Sequence, residues 1–581
     1  MSANCSADRH VARRFAIAVA LVVTSACSGS DSGAPTNQSA VVAPPPAPSP
    51  PTGQTPAAPT SFSDKTSASG LVFTIGYADN TVNRDIPNIY PSGVAAGDYD
   101  NDGDIDLFVL RGNLGPNLLF RNRGDFTFEE RASAAGVAFT KNASESYLHG
   151  TPAFADMDGD DDLDLLLTGL ESNPTKIYVN NGDGTFSDVS TGSGLEALSS
   201  VHTHSPAFGD YDLDGDLDLL ISHWGSARDF NAPGDTEHLW RNDTDASGIK
   251  FTSVSVSAGL SPNIVTSPDP NIPQRTFDYT FSPTFVRVDD DEYPDILFVA
   301  DFNDSQYFKN NGDGTFSQET DFSVIIDGNG MGSTVSDYDG DGDMDWFVSS
   351  ILATGPSDGT VLSEIGNRLY RNDAGVFVDV TVAAGVDDGG WGWGSCFIDF
   401  DNDGNLDIYH TNGWPFHAQR GGFPTDESRA FISNGDGTFT ENAAGLGIDD
   451  MEQGRGIVCA DFDGDGDVDI VQLTANTGRT ANVWENETNG AANYLTVKLQ
   501  GLAPNTDAVG ARVSITAGGA SQTRDVILGS NFSSHNPTEL YYGLGNAARV
   551  DSLSVRWPDG KETMLSMVDV NQRLVITHPD R

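Results

Sequence analysis

The feature that most limits how this chain can fold is an acidic nonapeptide, Asp-x-Asp-x-Asp-Gly-x-x-Asp, which recurs between apolar segments. Its first copy spans residues 98–106. The other copies and near-copies begin at Asp156, Asp210, Arg287, Asp337, Asp399 and Asp461. Consecutive copies begin 50 to 77 residues apart. A repeat of this period predicts an array of similar units rather than a single core.

Each repeat predicts four short β-strands. A strand of small or apolar residues precedes the acidic loop, a second follows it, as in 107–110, and a third ends in Asn, as in 118–122. The turn Asn-Gly-Asp-Gly-Thr-Phe at 181–186 then leads into the fourth strand, and Asn-Gly or Asp-Gly between β-forming residues favours a hairpin. Four strands in seven repeats predict an all-β, seven-bladed β-propeller over residues 61–490.

The ends of the repeat region predict how the array closes. The seventh repeat stops after residues 483–486 and lacks its outer strand, whereas strand-like residues at 61–64 precede the first acidic loop. We expect the N-terminal strand to complete the last sheet and so to hide an exposed edge. After the array, residues 493–581 alternate apolar and polar residues in short runs such as 494–499, which predicts a small C-terminal β-domain.

The acidic loops have the residue types of a calcium site. The carboxylates at positions one, three and five converge when the loop curls, Gly at six permits the bend, position seven offers its carbonyl oxygen, and Asp at nine completes the shell. Hard oxygen ligands in this number suit Ca²⁺, and an apolar strand from position nine distinguishes the loop from an EF-hand. We predict five or six calcium ions in six loops, held by Asp98, Asp100, Asp102, Asp104 and Asp106; Asp156, Asp158, Asp160, Asp162 and Asp164; Asp210, Asp212, Asp214, Asp216 and Asp218; Asp337, Asp339, Asp341, Asp343 and Asp345; Asp399, Asp401, Asp403, Asn405 and Asp407; and Asp461, Asp463, Asp465, Asp467 and Asp469.

Two loops depart from the pattern. Asp161 stands where the second loop needs Gly, so we expect weaker calcium binding there. In the loop at 287–295, Arg287 occupies position one and Glu292 occupies position six. We expect the Arg287 guanidinium to pair with Asp289 or Asp291 and leave the loop without calcium. The alternative for all loops is that they are solvated acidic turns, which the repulsion among so many carboxylates disfavours.

The N-terminus predicts export. Arg13 and Arg14 precede a short apolar run, and Thr24-Ser25-Ala26-Cys27 follows it, as in a bacterial lipoprotein signal over residues 1–27. We expect lipid on Cys27 and a tether of Pro, Ala, Ser and Thr over 28–60, although cleavage near Ala26 without lipid stays open. The predicted location is the bacterial outer membrane, the cell surface or the periplasm, and the lipid is the only expected contact with a membrane.

The net charge limits the classes of molecule that the protein can bind, and the two cysteines after the signal raise the question of a disulfide. The chain has 84 acidic and 31 basic residues, a formal net charge of -53, which argues against nucleic acid and suits divalent cations outside the cytoplasm. Cys396 and Cys459 lie three and two residues before equivalent Asp positions, hence on opposite strand faces. We expect buried free thiols, and a disulfide remains the alternative.

A set of aromatic and polar residues is predicted to line the end of the propeller opposite the acidic loops. These candidate ligand-binding residues are His149, His202, His204, His223, Trp224, Trp391, Trp393, His410, Trp414 and Arg455. Aromatic platforms with a few polar groups suit an extracellular carbohydrate or protein ligand, as in cell adhesion. Replacing His204 and Trp393 is then expected to leave stability nearly unchanged.

Three alternatives to this ligand face stay open. The residues could simply pack around the channel mouth, or the first three histidines could bind a transition metal. The His and Arg side chains could also serve an enzyme such as a polysaccharide lyase or hydrolase. No sequence motif of a known catalytic centre supports that enzyme.

The repeats resemble the FG-GAP or VCBS repeat, the propeller unit of integrin alpha subunits and of many bacterial exported proteins. The tail resembles the ASPIC/UnbV domain that follows such propellers in relatives of cartilage acidic protein. The residues that carry this second resemblance are Asn505, 509–513, 529–534, 542–545 and 555–560. The resemblance implies calcium binding and an extracellular location, and it implies no enzymatic activity.

Overall fold

A computed structural model describes most of the chain after the predicted tether. It covers residues 61–77, 92–142, 145–198, 200, 202–227, 238–260, 277–289, 291–352, 365–414, 423–474, 481–488 and 492–581. The predicted signal, the predicted lipid attachment at Cys27 and the predicted tether at 28–60 lie outside these residues. No helix within the described ranges is long and apolar enough to cross a membrane.

The described residues form 37 strands, numbered here in chain order. The first half of the repeat region contains β1 (Phe62–Asp64), β2 (Val94–Gly97), β3 (Asp106–Val109), β4 (Leu118–Asn122), β5 (Phe128–Glu130), β6 (His149–Ala155), β7 (Asp164–Gly169), β8 (Lys176–Asn180), β9 (Phe186–Asp188), β10 (Pro206–Gly209), β11 (Asp218–Ile221), β12 (Trp224–Ala227), β13 (Leu239–Asn242), β14 (Phe251–Ser253), β15 (Phe277–Val286), β16 (Asp295–Ala300), β17 (Gln306–Asn310) and β18 (Phe316–Gln318).

The second half of the repeat region contains β19 (Ser333–Ser336), β20 (Asp345–Val348), β21 (Arg368–Asn372), β22 (Phe377–Asp379), β23 (Gly392–Ile398), β24 (Asp407–Asn412), β25 (Arg429–Ser433), β26 (Phe439–Glu441), β27 (Gly454–Ala460), β28 (Asp469–Thr474) and β29 (Asn482–Asn486). The C-terminal segment contains β30 (Asn493–Gln500), β31 (Arg512–Ala517), β32 (Ala520–Asp525), β33 (Ser534–His535), β34 (Leu540–Gly545), β35 (Val550–Arg556), β36 (Glu562–Val568) and β37 (Arg573–Thr577). Three single-turn helices, α1 (Ala132–Ala135), α2 (Thr381–Ala384) and α3 (Ala443–Leu446), and two 3-10 turns, Leu195–Ala197 and Phe423–Thr425, connect strands.

Each repeat folds into a four-stranded antiparallel sheet, and the all-β prediction is confirmed. From the inner to the outer strand, the sheets are β2-β3-β4-β5, β6-β7-β8-β9, β10-β11-β13-β14, β15-β16-β17-β18, β19-β20-β21-β22, β23-β24-β25-β26 and β27-β28-β29-β1. In the fourth sheet, β12 pairs with β15 as an additional antiparallel strand. In the last sheet β1 pairs with β29, Phe62 opposite Asn486, so the predicted closure by the N-terminal strand is confirmed. The acidic loop joins the first two strands of each sheet, and its ninth residue opens the second strand.

Neighbouring sheets pack face to face, and their packing returns to the starting sheet. Phe108 of the first sheet meets Phe154 of the second edge-on, with ring centroids 6.5 Å apart. Phe462, in the loop of the last sheet, meets Phe128 of the first at 5.9 Å. Because each sheet is covered on both faces, second strands such as β3 and β11 are buried at every residue and apolar after their first Asp.

Most third strands end in an Asn, and its side chain links each of these sheets to the sheet before it. The side-chain amide of Asn122 donates to the carbonyl oxygen of Phe462 at 2.7 Å, and that of Asn180 donates to Tyr99 at 2.8 Å. The same bond joins Asn242 to Met157, Asn310 to Tyr211, Asn372 to Val288 and Asn486 to Phe400. These bonds satisfy carbonyl groups at position two of the acidic loops and so hold adjacent loops in register.

The expectation of two free thiols is wrong, because Cys396 and Cys459 form a disulfide with Cα atoms 6.8 Å apart. The two residues do lie on opposite strand faces, as the sequence indicates. They belong to the inner strands of adjacent sheets, β23 and β27, which pack face to face. When two adjacent sheets pack, the side chains that meet come from opposite faces of the two equivalent strands. Cys396 and Cys459 therefore face each other because they lie on opposite strand faces.

The C-terminal segment folds into two further sheets, β34-β30-β37 and β32-β31-β35-β36. They enclose a core that includes Val513, Leu553 and Trp557, and this core is continuous with Phe208 and Trp240 of the third repeat sheet. These sheets cover the acidic loops. The backbone N–H of Gly545 donates to the carbonyl of Asn402 at 2.8 Å, Arg512 donates to Gly342 at 3.3 Å, and the N–H of Asp461 donates to the Tyr541 hydroxyl at 3.4 Å.

Candidate metal centres

The first acidic loop wraps its backbone around the carboxylate at position one. Asp98 accepts hydrogen bonds from the N–H groups of Asp102 and Gly103, both at 3.0 Å. Asp102 in turn accepts from the N–H of Asp104 at 3.0 Å. Gly103 adopts φ 99°, a left-handed conformation that favours glycine, so the predicted role of Gly at position six in the bend is confirmed.

The other loops repeat this arrangement. The position-one carboxylates of Asp156, Asp210, Asp337, Asp399 and Asp461 each accept from the N–H group at position six, at 2.8 to 3.1 Å. In the second loop that donor is Asp161, which is held at φ 78° where the other loops have glycine. A non-glycine residue in this region is strained, so the second loop keeps the same shape at a cost in free energy.

The Asp at position nine ties each loop to its sheet. Asp106 is fully buried and accepts from the N–H of Tyr99 at 3.2 Å and from the N–H of Asn122 at 2.7 Å. Asp295 of the divergent loop makes the same pair of bonds with Val288 and Asn310. This anchor is therefore a property of the repeat itself, whether or not a loop has the complete ligand set.

Carboxylate oxygens converge in at least five of the loops. In each, three side chains place one oxygen apiece so that all three atoms lie within 4.8 Å of one another. The groups are Asp98, Asp100 and Asp106; Asp156, Asp158 and Asp164; Asp210, Asp212 and Asp218; Asp337, Asp339 and Asp345; and Asp399, Asp401 and Asp403. Four groups combine positions one, three and nine, and the last combines positions one, three and five.

The carboxylate at position three has oxygen atoms without a partner in five loops. Buried oxygens with no hydrogen-bond donor are Oδ1 of Asp100, Asp158, Asp212 and Asp463 and both oxygens of Asp339. A buried acceptor without a donor is costly, and a buried carboxylate is more so. A cation placed among these oxygens would satisfy them, so the donor set and its unsatisfied atoms fit a hard divalent ion such as Ca²⁺.

The electrostatics of the loops point the same way. Burial, with added repulsion from neighbouring carboxylates, raises the pKa of Asp98 to about 6 and those of Asp210 and Asp461 to about 7. Burial raises the pKa of Asp106 to about 9. Without a cation, these loops therefore retain protons near neutral pH, and a metal ion that binds them must displace those protons.

The divergent loop at 287–295 is neutralised by a different residue from the one predicted. Arg287 points to Asp525 of the C-terminal sheets, with Nη2 to Oδ1 at 3.8 Å, so the predicted pairing of Arg287 with Asp289 or Asp291 is wrong. The ammonium of Lys309 on β17 forms the ion pair with Asp289 and lies 4.0 Å from Asp291. Although burial acts to raise it, this ion pair holds the pKa of Asp289 below its usual value. That the loop lacks calcium stays a prediction.

Sequence reasoning missed the basic residue beside the loops, although the repeats contain a signal for it. Lys309 directly precedes the Asn that ends the third strand, and Arg121, Arg241 and Arg371 occupy the same position. In the first loop, Arg121 contacts the carboxylates of Asp100 and Asp102, each at 2.7 Å. Arg241 and Arg371 instead pair with Asp243 and Asp373, two residues further along the chain, so the basic residue neutralises the acidic loop directly in the first and fourth repeats.

The candidate ligand-binding residues at the other end of the ring are mostly buried. Trp224, Trp391 and His202 are half-buried. The buried members are His149, His204, His223, Trp393, His410, Trp414 and Arg455. Their side chains pack together, as where the Arg455 guanidinium lies 4.0 Å from the centre of the Trp393 ring.

Burial also sets the charge of these residues and their part in stability. It lowers the pKa of His204 to about 3 and that of His149 to about 4, which makes both neutral at neutral pH. The expectation that replacing His204 or Trp393 would leave stability unchanged is wrong, because both are core residues and large-to-small changes of such an aromatic residue cost about 3–5 kcal/mol. A ligand role for the set stays a prediction.

Comparison with protein families identifies both parts of the chain. The family model described as FG-GAP-like repeat matches residues 98–167, 156–221, 287–348 and 422–471. The model described as ASPIC and UnbV matches residues 501–581. Both resemblances drawn from the sequence are thus confirmed.

Two relatives align with this chain at low identity. Cartilage acidic protein 1 of Mus musculus is 25% identical over 531 residues, which cover 84% of this chain and 74% of the mouse protein. Cartilage acidic protein 1 of Xenopus tropicalis is 32% identical over 135 residues, which cover 22% of this chain and only 19% of the frog protein.

Solved structures resemble the chain more distantly. The V. cholerae biofilm matrix protein Bap1 aligns with 82% of this chain and 59% of its own, at 12% identity and a TM-score of 0.27. The rhamnogalacturonan lyase YesW aligns with 69% of this chain and 72% of its own, at 13% identity and a TM-score of 0.34. Together the two family models show that this chain consists of FG-GAP-like repeats followed by a C-terminal ASPIC and UnbV domain.

Proposed function

We propose that this protein is an exported calcium-binding β-propeller that acts as a scaffold for an extracellular carbohydrate or protein ligand. The observation that carries the calcium part is the buried, unpartnered oxygen at position three, which recurs in five loops. Five independent repeats leave the same atom unsatisfied at the same point of the loop. A chance defect of packing would not recur with that period, whereas a shared cation would account for it.

The extracytoplasmic location has separate support. The disulfide between Cys396 and Cys459 suits an oxidising compartment. Calcium sites of weak to moderate affinity are filled only where free calcium is abundant, as it is outside the cytoplasm. With the lipoprotein-like signal at residues 1–27, these features favour a lipid-anchored protein of the cell surface or periplasm.

A binding role is favoured over an enzyme at the channel mouth. An acid–base centre needs side chains that reach a substrate, whereas His204 and Arg455 are fully buried. The half-buried Trp224, Trp391 and His202 offer the aromatic and polar edges from which a ligand platform could be built. A glycan array run beside a turnover screen separates the two roles, since a scaffold retains a glycan and releases no product.

The calcium proposal is tested by counting ions. Metal-free protein titrated with calcium in a calorimeter should bind five or six ions. Asp212→Ala removes a carboxylate that has an unpartnered oxygen and should lower the count by one, whereas Asp183→Ala, in an exposed hairpin turn, should not change it. An unchanged count in Asp212→Ala, or no binding by the parent protein, would contradict the proposal.

A further inference from the structure

Residues 528–536, here named the channel segment, leave the C-terminal sheets between β32 and β34 and lie along the inner strands of the propeller ring. Within the segment, β33 runs parallel to β2, with Ser534 opposite Val94 and His535 opposite Ala95. The N–H of Val94 also donates to the carbonyl of Ser533 at 3.0 Å. The C-terminal domain therefore adds a fifth strand to the inside of the first repeat sheet.

The segment also bonds to the inner strands of the third and sixth sheets. The N–H of Phe208 on β10 donates to the carbonyl of Leu528 at 2.7 Å. On β23, the N–H of Ser395 donates to the side chain of Asn531 at 3.0 Å, and the Asn531 amide donates back to the carbonyl of Ser395 at 2.6 Å. An inner strand is the open edge of its sheet, so these bonds satisfy groups that the sheet itself leaves unpaired.

Two more bonds reach the seventh sheet. On β27, the N–H of Ile457 donates to the Ser534 hydroxyl at 2.8 Å, and the N–H of Cys459 donates to the Asn536 side chain at 3.0 Å. Four of the seven inner strands thus recognise the segment through the backbone. Beside it, a cavity of about 150 Å³ remains against the fifth to seventh sheets, so the segment fills only part of the space inside the ring.

Phe532 gives the segment an aromatic tip. Its side chain is fully buried, and its ring lies 4.8 Å from His204, 5.3 Å from Phe281 and 4.8 Å from Trp393, measured between centroids. Edge-to-face and tilted contacts of this kind add to the energy of burying the ring itself. The residues that look from the sequence like a platform for an outside ligand therefore enclose a side chain of the same polypeptide.

At the start of the channel segment, the backbone of Gly529 lies very close to the backbone of β10. Gly529 has φ 93°, and a β-carbon added there would lie 2.6 Å from the carbonyl oxygen of Pro206 on β10. Only glycine combines this conformation with this distance. The entry of the segment into the ring is thus determined by its own sequence, as expected of a specific ligand rather than a loosely packed loop.

We infer that the propeller ring contains a binding site for an extended peptide with one aromatic side chain, and that the chain fills this site with its own channel segment, anchored by Phe532. Backbone pairing to an open strand edge with a side chain seated in a pocket is a recognised way of binding peptides. The site fastens the C-terminal domain to the ring independently of any metal. An outside ligand that enters from the aromatic end must displace Phe532 before it reaches His204 or Trp393.

Amide hydrogen exchange on the full-length, calcium-loaded protein tests this inference. Phe532→Ala should speed exchange at least tenfold in the channel segment and at the amides of Val94, Ser395 and Ile457. Amides of β31 and β35, which pair with other strands of the same domain and not with the channel segment, should keep their protection. Met564→Ala removes an apolar side chain that is 65% exposed on that domain and should change neither set.

A second variant covers the case in which Phe532→Ala unfolds. Asn531→Ala keeps the aromatic tip and removes the paired bonds to Ser395, so exchange at Ser395 should rise while Phe208 stays protected. If both variants leave exchange at the inner strands unchanged, or if protection is lost equally over the whole chain in both, the segment is not a separately anchored ligand and the inference fails. Neither exchange result depends on how many calcium ions the protein binds, so this test is separate from the test of the calcium proposal.

Discussion

The third and fourth acidic loops have the same backbone hydrogen bonds to the carboxylate at position nine, but they differ in what lies beside the carboxylate at position three. In both, the position-nine carboxylate, Asp218 or Asp295, accepts N–H groups from its own loop and from the third strand of its sheet. In the third loop the position-three oxygen of Asp212 has no partner, whereas in the fourth Asp289 is paired with Lys309. The two loops therefore share the hydrogen bonds of position nine and differ in how their carboxylates are neutralised, which Lys309 does in the fourth loop and which we propose an ion does in the third.

The largest expected effect comes from removing position one of the third loop. Asp210→Ala deletes a carboxylate that accepts two backbone N–H groups, and with it the ion. At free calcium 100 times the dissociation constant, a lost site costs about 2.7 kcal/mol. Calorimetric unfolding in calcium should show this loss. In chelator, the difference between variant and parent should be smaller.

The matched change at position one of the fourth loop tests whether this effect is specific to loops that bind calcium. Arg287→Ala changes position one of a loop that we propose to be empty, so its unfolding should show the same difference from the parent in calcium and in chelator. A calcium-dependent difference for Arg287→Ala would mean that the fourth loop also holds an ion.

A gain of function would sharpen the comparison further. The double variant Arg287→Asp with Lys309→Val gives the fourth loop an acid at position one and removes the lysine that neutralises it. Because the position-nine anchor is already present, the loop should acquire calcium, and titration should find one ion more than in the parent. Lys309→Val alone serves as the control, and an unchanged count in the double variant would show that the loop lacks more than charge.

The raised pKa values predict how pH acts on the calcium-free protein. Groups such as Asp210 and Asp461, with pKa about 7 in the folded state and about 4 when unfolded, favour folding only while they hold protons. That contribution is complete below about pH 4 and is lost as pH rises through 7. The melting temperature in chelator should therefore fall from pH 5.5 to pH 8.

Calcium should remove this dependence, because the ion replaces the protons. The gap between the melting temperatures in calcium and in chelator should widen as pH rises from 5.5 to 8. A gap of constant size over this range would show that the buried carboxylates are not the groups that bind the ion.

The smallest expected effect concerns the second loop. Asp161→Gly relieves the positive φ and should stabilise the protein by up to about 1 kcal/mol. It also removes a partly exposed ion pair with Arg581, which offsets a fraction of the gain. Calcium affinity of this loop should rise, measured against Asp183→Gly as a control on an exposed turn. Weaker binding in Asp161→Gly would mean that the Asp161 carboxylate takes part in the site.

What the sequence predicts well is local. The convergence of the loop carboxylates is predicted by their spacing within nine residues, the turns by Asn-Gly and Asp-Gly pairs, and the closing strand at 61–64 by its absence from the last repeat. Each depends on neighbours along the chain or on a repeat that can be compared with itself. Lys309 belongs to the same class, since its position is visible once the repeats are aligned on the third-strand Asn.

The sequence could not predict features that depend on contacts between residues far apart in the chain. The disulfide requires that the opposite faces of adjacent sheets pack together, which a single strand does not reveal. The burial of Trp393 requires Phe532, which lies 139 residues further along the chain and outside the repeats. Polar and aromatic residues at a ring opening indicate a binding site in either case, and only the structure identifies its occupant.

Thermal unfolding of the unmodified protein with calcium and with chelator, at pH 8, is the most direct test of the central claim that calcium holds the acidic loops together. Several sites, each contributing about 2.7 kcal/mol when calcium is 100 times its dissociation constant, should raise the melting temperature by well over ten degrees. Magnesium at the same concentration is the control for ionic strength, and should give a much smaller rise because Mg²⁺ demands near-ideal octahedral geometry and gives up its water ligands reluctantly. Equal melting temperatures in calcium and in chelator would contradict the account, since the acidic loops would then hold their shape without an ion.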